Sequence, residues 1–308
     1  MPHRAPGAPE KPRTNHLSGK PIRYYRPRGS ADIRHLIDEG FQAFNAARLG
    51  EACRIFTDKM LLPENDTTIG LTIAGALTPA GLGGCIVELM ERGLVDFIIS
   101  TGANLYHDLH YALGRDLISR HPGCEQYSVV AAAAATGVPV FTSSPGDSSI
   151  GMNIAYHELM NDSRLMVDPN KDVNEVCAFI LAGKKNGCVI LGGGSPKNFY
   201  LQGQPTLWEV YGIPKGGNDY FIQITTDQVV WGGLSGATPA EAVSWGKVNP
   251  GVLPDTAVAY MDSTVGFPLF CEYVVGAPNG RRPRKELVHK RDELVAVLKR
   301  QAKAAAGG

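Results

Sequence analysis

Between Thr67 and Met261 the chain alternates short runs rich in Ile and Val with stretches of helical spacing. This alternation narrows the folds open to it more than any other feature. The apolar runs predict strands over Thr68–Ala74, Val95–Ser100, Val138–Thr142, Cys188–Leu191, Tyr220–Thr226 and Thr256–Met261. Helices are predicted between them, over Pro79–Glu91, Leu105–Leu113, Val173–Lys185 and Pro239–Trp245. Strands that are apolar on both faces and joined by helices build a parallel sheet covered on each side. The expected class is therefore α/β, one large domain with helices on both faces of a parallel sheet. Its length of 308 residues permits this, with 44% hydrophobic and 19% charged residues as in globular chains. No apolar run reaches the roughly 20 residues that span a bilayer. The long uncharged stretch Gln126 to Gly146 is broken by Gly137, Pro139, Pro145 and Gly146.

The flanks differ from this body. Residues 1–29 hold six prolines, seven Arg or Lys and a single acid, Glu10, and are expected to form a flexible arm. Residues 281–308 hold nine basic and three acidic side chains, and a last helix over Lys285–Lys303 is expected to be peripheral. The body, residues 30–280, keeps 14 basic and 26 acidic side chains beneath an overall net charge of zero. An acidic body can focus cationic ligands into a cleft. The basic flanks offer only Tyr24 and Tyr25 as stacking residues and no base-reading module, so neither nucleic acid nor membrane is an expected partner. A further helix is predicted over residues 31–56 from the spacing of Ile33, Leu36, Ile37, Phe41, Phe44, Ala47 and Cys53. Six scattered cysteines without a C-x-x-C pair read as buried thiols of a reducing compartment. No apolar leader stands at the N-terminus, and the expected location is cytoplasmic.

In a parallel sheet, ligands bind beyond the carboxyl ends of the strands. The segments in that position are 75–84, 101–108, 143–151, 192–198, 226–235 and 262–266, all rich in Gly, Ser, Thr, Asn and Asp. Such small residues let a nucleotide-sized ligand approach the backbone. Gly192-Gly193-Gly194-Ser195 could cradle a phosphate, although Lys197 stands where G-x-G-x-x-G needs its third glycine, and no Walker A run is present. Thr238-Pro239-Ala240-Glu241 fits a capping box. Lys247 follows the end of that helix beside Trp245. There it either complements the helix dipole or, if desolvated, serves as an amine nucleophile toward an imine or carbonyl. Tyr106, His107, Asp108 and His110 share one helical segment; two histidines three apart lack a third ligand, so no metal is expected.

The heptapeptide Glu241-Ala242-Val243-Ser244-Trp245-Gly246-Lys247 resembles the catalytic-lysine motif of deoxyhypusine synthase. Further blocks match that family in order: Gly40-Phe41-Gln42-Ala43, Asp96 to Asp108, Pro139-Val140-Phe141, Leu191-Gly192-Gly193-Gly194 with Lys197, Ser235-Gly236-Ala237 and Phe267-Pro268-Leu269. The resemblance implies a Rossmann-like fold, a cytosolic homotetramer with sites at subunit interfaces, and NAD as cofactor. It implies NAD contacts at Gly75, Thr101, Gly102, Asp147, Gly193, Thr226, Asp262 and Ser263. It also implies transfer of an aminobutyl-type group from a polyamine such as spermidine, through an imine on Lys247, with Glu241 and Trp245 against the substrate. The hydride chemistry is the cofactor's, and the protein supplies position and charge.

Four departures alter the expectation. The family's paired glutamates ahead of Asp108 are here Tyr106 and His107; its aspartate after Asp147 is Met152; the aspartate of its G-S-D-S-G-A loop is Leu234; and the histidine after its glycine-loop lysine is Asn198. A buried ammonium without a carboxylate partner is costly, so spermidine held in the family's manner is not expected. Tyr106 becomes a substrate-wall residue and His107 a candidate proton carrier. The expected substrates are a small amine or polyamine analogue, as in homospermidine synthases. A protein lysine as acceptor and a catalytically silent NAD- or amine-binding relative are the alternatives.

Overall fold

The computed structural model describes residues 22–27, 29–30, 32–112, 124–162 and 166–307. The first helical stretch divides into α1 (Ile33–Gly40) and α2 (Phe44–Ile55). The single helix expected over 31–56 is thereby corrected. The chain turns at Phe41–Ala43 and enters α2 with Phe44 at φ +51. Asp32 caps α1, its carboxylate accepting from the His35 amide at 2.6 Å.

The sheet then builds as the alternation predicts. β1 (Thr67–Ile73) leads through a π-helical turn into α3 (Gly83–Glu91); β2 (Phe97–Ser100) is followed by α4 (Gly102–Ala112) and α5 (Val129–Thr136). β3 (Val140–Thr142) precedes α6 (Ser149–Asn161) and α7 (Pro169–Ala182); β4 (Lys185–Leu191) precedes α8 (Gly194–Pro205). β5 (Tyr220–Thr225), α9 (Pro239–Ser244), β6 (Thr256–Tyr260) and α10 (Ser263–Val275) complete the body, and α11 (Leu287–Ala306) closes the chain. The six strands form one all-parallel sheet in the order β3-β2-β1-β4-β5-β6. The strand order reverses between β1 and β4, and the two carboxyl ends diverge there to leave a crevice.

Strand side chains alternate between two cores, as the pleat requires. Ile69, Leu71, Ile73, Val189, Leu191, Ile222 and Ile224 pack on one face beneath α1, α2, α3, α5 and α10. Phe97, Ile99, Cys188, Ile190 and Phe221 face the other side, against α7, α8 and α11. Burial on both faces explains the unbroken apolar runs. Gly70 marks a close approach, since an added Cβ would lie 2.5 Å from the Tyr200 ring.

The C-terminal segment is more tightly held than a peripheral tail. α11 lies along α7 and buries Leu287 and Leu298. Its charge disguises this amphipathic stripe, because the solvent-facing residues dominate the count. Ahead of it, Arg282 enters the body, donating to the Thr67 carbonyl at 2.6 Å and to Asp96 Oδ2 at 2.5 Å. Asp96 is fully buried and also accepts from the Ile69 amide at 2.8 Å. Replacing one member of a buried ion pair strands the other. Arg282→Ala is expected to cost about 3–5 kcal/mol, read as a fall in thermal midpoint by circular dichroism. Asp96→Asn in the same background is expected to recover part of the loss; equal midpoints for wild type and Arg282→Ala would refute the role of this pair.

Candidate active site

The loops at the carboxyl ends of the strands are laced together. Gly75, at φ +67, follows β1; an added Cβ there would meet nothing within 4 Å, so this backbone faces open space. Thr101, after β2, donates its hydroxyl to the Gly75 carbonyl at 2.6 Å, and Asn104 donates to that hydroxyl at 3.0 Å. Gly102 opens α4 against Ser148, which caps α6; a Cβ at Gly102 would fall 2.1 Å from the Ser148 hydroxyl. Asp147 is exposed beside it after β3. Beyond β4, Ser235 crosses Gly193, and its hydroxyl accepts from the Gly194 amide at 2.8 Å. Thr226 follows β5. After β6, Asp262 caps α10, its carboxylate held below the usual range by the Thr264 hydroxyl and amide, and the Ser263 hydroxyl donates to the Ile224 carbonyl at 3.2 Å. All eight residues expected to contact NAD thus lie on one rim of the sheet, around the crevice. The open backbone at Gly75, the helix start at Gly102 and this row of hydroxyls and exposed carboxylates fit a dinucleotide.

Lys247 stands at the end of α9. Thr238 and Glu241 form the capping box, with Pro239 at the first helical position. Gly246 turns the chain out of the helix at φ +67; an added Cβ would meet the Trp208 indole nitrogen at 2.6 Å, so both backbone and space call for glycine. The Lys247 amide donates to the Ala242 carbonyl at 3.0 Å, and its carbonyl accepts from the Asn218 amide and side chain at 3.0 and 2.9 Å. With the backbone fixed, the half-buried side chain enters a cleft of about 450 Å³ shared by Lys197, Asn198, Leu234, Glu241 and Trp245. Its Nζ donates to Asn198 Oδ1 at 2.8 Å and lies 5.8 Å from the Trp245 ring centre, within cation–π reach. Among the described residues no carboxylate lies within ion-pairing distance of it. Burial lowers its pKa from the ordinary 10.5.

Beside it, Lys197 is 2% exposed. Its Nζ donates to Gln223 Oε1 at 3.0 Å, the Ser235 carbonyl at 3.0 Å and the Ala237 carbonyl at 2.6 Å. Burial, joined by the nearby positive charge of Lys247, brings its pKa down to about 8.

The structure brings Glu241, Trp245 and Lys247 to this one cleft. Glu241 also serves the capping box, accepting from the Thr238 amide and hydroxyl at 2.7 and 2.9 Å. Tyr106 and His107 lie elsewhere, on α4. The Tyr106 ring packs edge-on against His107 and His110, and His107 Nδ1 is buried without a hydrogen-bond partner. None of the residues lining the Lys247 cleft comes from α4. Asp108 points the other way, into the body, accepting from the Ser128 hydroxyl and from the Val129 and Val130 amides at the start of α5. Two residues gained importance that sequence reasoning had not assigned. Asn198, noted only as a departure, is the hydrogen-bond partner of Lys247, and Lys197, noted as a landmark, is a buried cation. A lysine in the first turn of a helix ordinarily reads as solvent-facing, so no local signal marks it.

Comparison with known proteins bears on this arrangement. The family model for deoxyhypusine synthase matches residues 38–125 and 117–274. A deoxyhypusine synthase-like protein of Cyanothece sp. is 41% identical, over 86% of this chain and 84% of its own. "Probable deoxyhypusine synthase 2" of Archaeoglobus fulgidus is 30% identical, over 78% of this chain and 97% of its own. A crystallised protein of Entamoeba histolytica, assigned as a deoxyhypusine synthase, superposes with a TM-score of 0.58 at 17% identity. That match covers 85% of this chain and all of the other, and supports the fold. With the family's lysine heptapeptide on α9 and its strand-end loops on one rim of the sheet, the chain belongs to the deoxyhypusine synthase family.

Proposed function

We propose that this protein is an aminoalkyl transferase. It takes an aminobutyl-type group from a polyamine or related amine and delivers it to a small amine acceptor through an imine on Lys247. The observation that carries this reading is the state of Lys247. It is a half-buried amine with no carboxylate partner, its pKa lowered by burial, held by a neutral amide oxygen. The strand-end residues Gly75, Thr101, Gly102, Asp147, Gly193, Thr226, Asp262 and Ser263 would hold NAD, which when bound would supply the hydride chemistry at the donor and product amines.

The residues of the chain do the rest. The neutral Lys247 amine attacks the carbon of the oxidised donor. A C–N bond forms to Nζ, the bond to the departing amine breaks, and that amine leaves with the proton Nζ gives up. The acceptor amine then displaces Nζ by the same exchange in reverse. Asn198 holds the nitrogen in place and, unlike a carboxylate, does not favour its protonated form. Trp245 supplies a flat wall and Glu241 a carboxylate at the cleft edge. The changed walls support a donor or acceptor other than spermidine bound in the family's way, since Leu234 brings an apolar surface into the cleft. His107 lies outside the cleft of its own chain. Its part in proton transfer therefore requires a second copy to bring α4 over Lys247, in keeping with a homotetramer whose sites lie at subunit interfaces.

Borohydride reduction in the presence of NAD and a panel of amines is expected to leave a mass adduct on Lys247 in the wild type and none in Lys247→Ala. No adduct across the panel would instead identify a silent binder. The rate of imine formation is expected to rise with pH as Lys247 loses its proton, with a midpoint below 10.5. Asn198→Asp places a carboxylate beside Nζ and is expected to move that midpoint up by about 1–3 units, slowing the reaction near neutral pH; an unmoved midpoint refutes the assignment of Asn198. His107→Ala is expected to slow imine formation at least about tenfold, within the usual range for general acid–base catalysis. Unaltered kinetics remove His107 from the mechanism.

A further inference from the structure

A second cavity, of about 270 Å³, adjoins the Lys247 cleft. The two share Asn198, Gln202 and Leu234 as lining residues, so these side chains form the wall between them. The second cavity is bounded by Val173, Val176 and Cys177 of α7, by Phe199 of α8, and by Ser143 at the carboxyl end of β3. Its volume holds on the order of nine waters at ~30 Å³ each, or a comparable number of carbon, nitrogen and oxygen atoms.

Two features define what it can take. No charged side chain is among its lining residues, whereas the Lys247 cleft carries Lys197, Lys247, Glu209 and Glu241. An ammonium placed there finds no counter-charge in the lining, so nothing in it favours a charged group over a neutral one. The second feature is Ser143. Its hydroxyl is buried and has no hydrogen-bond partner. The other hydroxyls of the lining are engaged: Ser195 pairs with Ser144 at 2.7 Å, and Thr206 donates to the Gln202 carbonyl at 2.8 Å. An unpaired, buried hydroxyl in an uncharged pocket is a point of recognition for one polar, uncharged group.

We infer that one substrate of this protein is an amine with an uncharged far end. Its nitrogen stays in the cleft by Lys247, and its carbon chain passes Leu234 into the adjoining cavity. A hydroxyl or carbonyl at its tip meets the Ser143 hydroxyl. The inference rests on the amine-transfer reading above and narrows it, from amines in general to monoamines tipped with a neutral hydrogen-bonding group, and away from diamines and triamines.

Calorimetric titration of the full chain with 5-amino-1-pentanol, n-pentylamine and 1,5-diaminopentane tests this. The amino alcohol is expected to bind tightest and the diamine at least about tenfold more weakly, the factor of one lost charge or hydrogen-bond partner. Ser143→Ala is expected to bring the amino alcohol down to the level of pentylamine. Leu234→Asp, an exposed loop position where folding is not at stake, is expected to raise the diamine above pentylamine. A diamine that binds wild type as tightly as the amino alcohol overturns the inference. So does an advantage of the amino alcohol that survives Ser143→Ala, or the failure of all three probes to bind. Binding here needs neither NAD nor an adduct. The expected order without any adduct on Lys247 would sink the transferase reading alone, and an adduct formed with the order reversed would sink this inference alone.

Discussion

The site depends on one buried ammonium. Lys197 Nζ sits among three oxygens, from Gln223 on β5 and from the Ser235 and Ala237 carbonyls. Those three bonds use all the donors a lysine has, and they join α8 to the sheet and to the loop that runs into α9. The same loop crosses Gly193 and receives the Gly194 amide on the Ser235 hydroxyl. Gln223 reinforces the arrangement, donating to the Gly192 and Ser235 carbonyls at 2.8 and 2.7 Å. Without this knot, nothing described would fix the start of α9, and the Thr238 cap, Gly246 turn and Lys247 amine would lose their common reference. A buried charge is an expensive way to pin a loop. Here it also lies near the second lysine, whose positive charge joins burial in lowering the pKa of Lys197.

What could be read in advance follows from how local each cause is. The six strands were legible because burial on both faces imposes continuous apolar runs, and they fall within a few residues of their expected bounds. The capping box at Thr238 was legible because it is a four-residue pattern. The division of the first helix was not, since α1 and α2 keep helical spacing across the turn at Phe41–Ala43 and only the backbone reveals the break. The seat of the C-terminal helix on α7 was not legible, because its exposed charges outnumber the two leucines that make the contact. Within the site, Lys247 announced itself through its neighbours in sequence. The role of Asn198 could not, because its partner lies 49 positions away and their contact exists only once the fold brings the segment after α9 to α8. The placement of His107 is likewise a property of the sheet order, which sets α4 apart from the α8–α9 cleft within one chain.

The replaced residues make physical sense together. A carboxylate at position 234 would hold a cationic substrate, but it would also favour the proton on Lys247. An isobutyl group at 234 removes both effects at once, and the amide at 198 adds no charge. The amine is then eased toward its neutral, reactive form by burial alone, and the cleft wall turns from one that selects charge into one that selects shape. Charge for capturing an amine survives only at the cleft edge, where Glu209 and Glu241 line it and solvent screens them. On the proposed amine-transfer reading, an incoming ammonium would pause there and shed its proton to water before it meets Lys247, while the carbon chain that follows would find an uncharged cavity. On that reading the loss of the family's polyamine carboxylates is a transfer of selectivity from electrostatics to packing, because the lysine, its glycine turn, its tryptophan wall and the buried cation that locates them are all present.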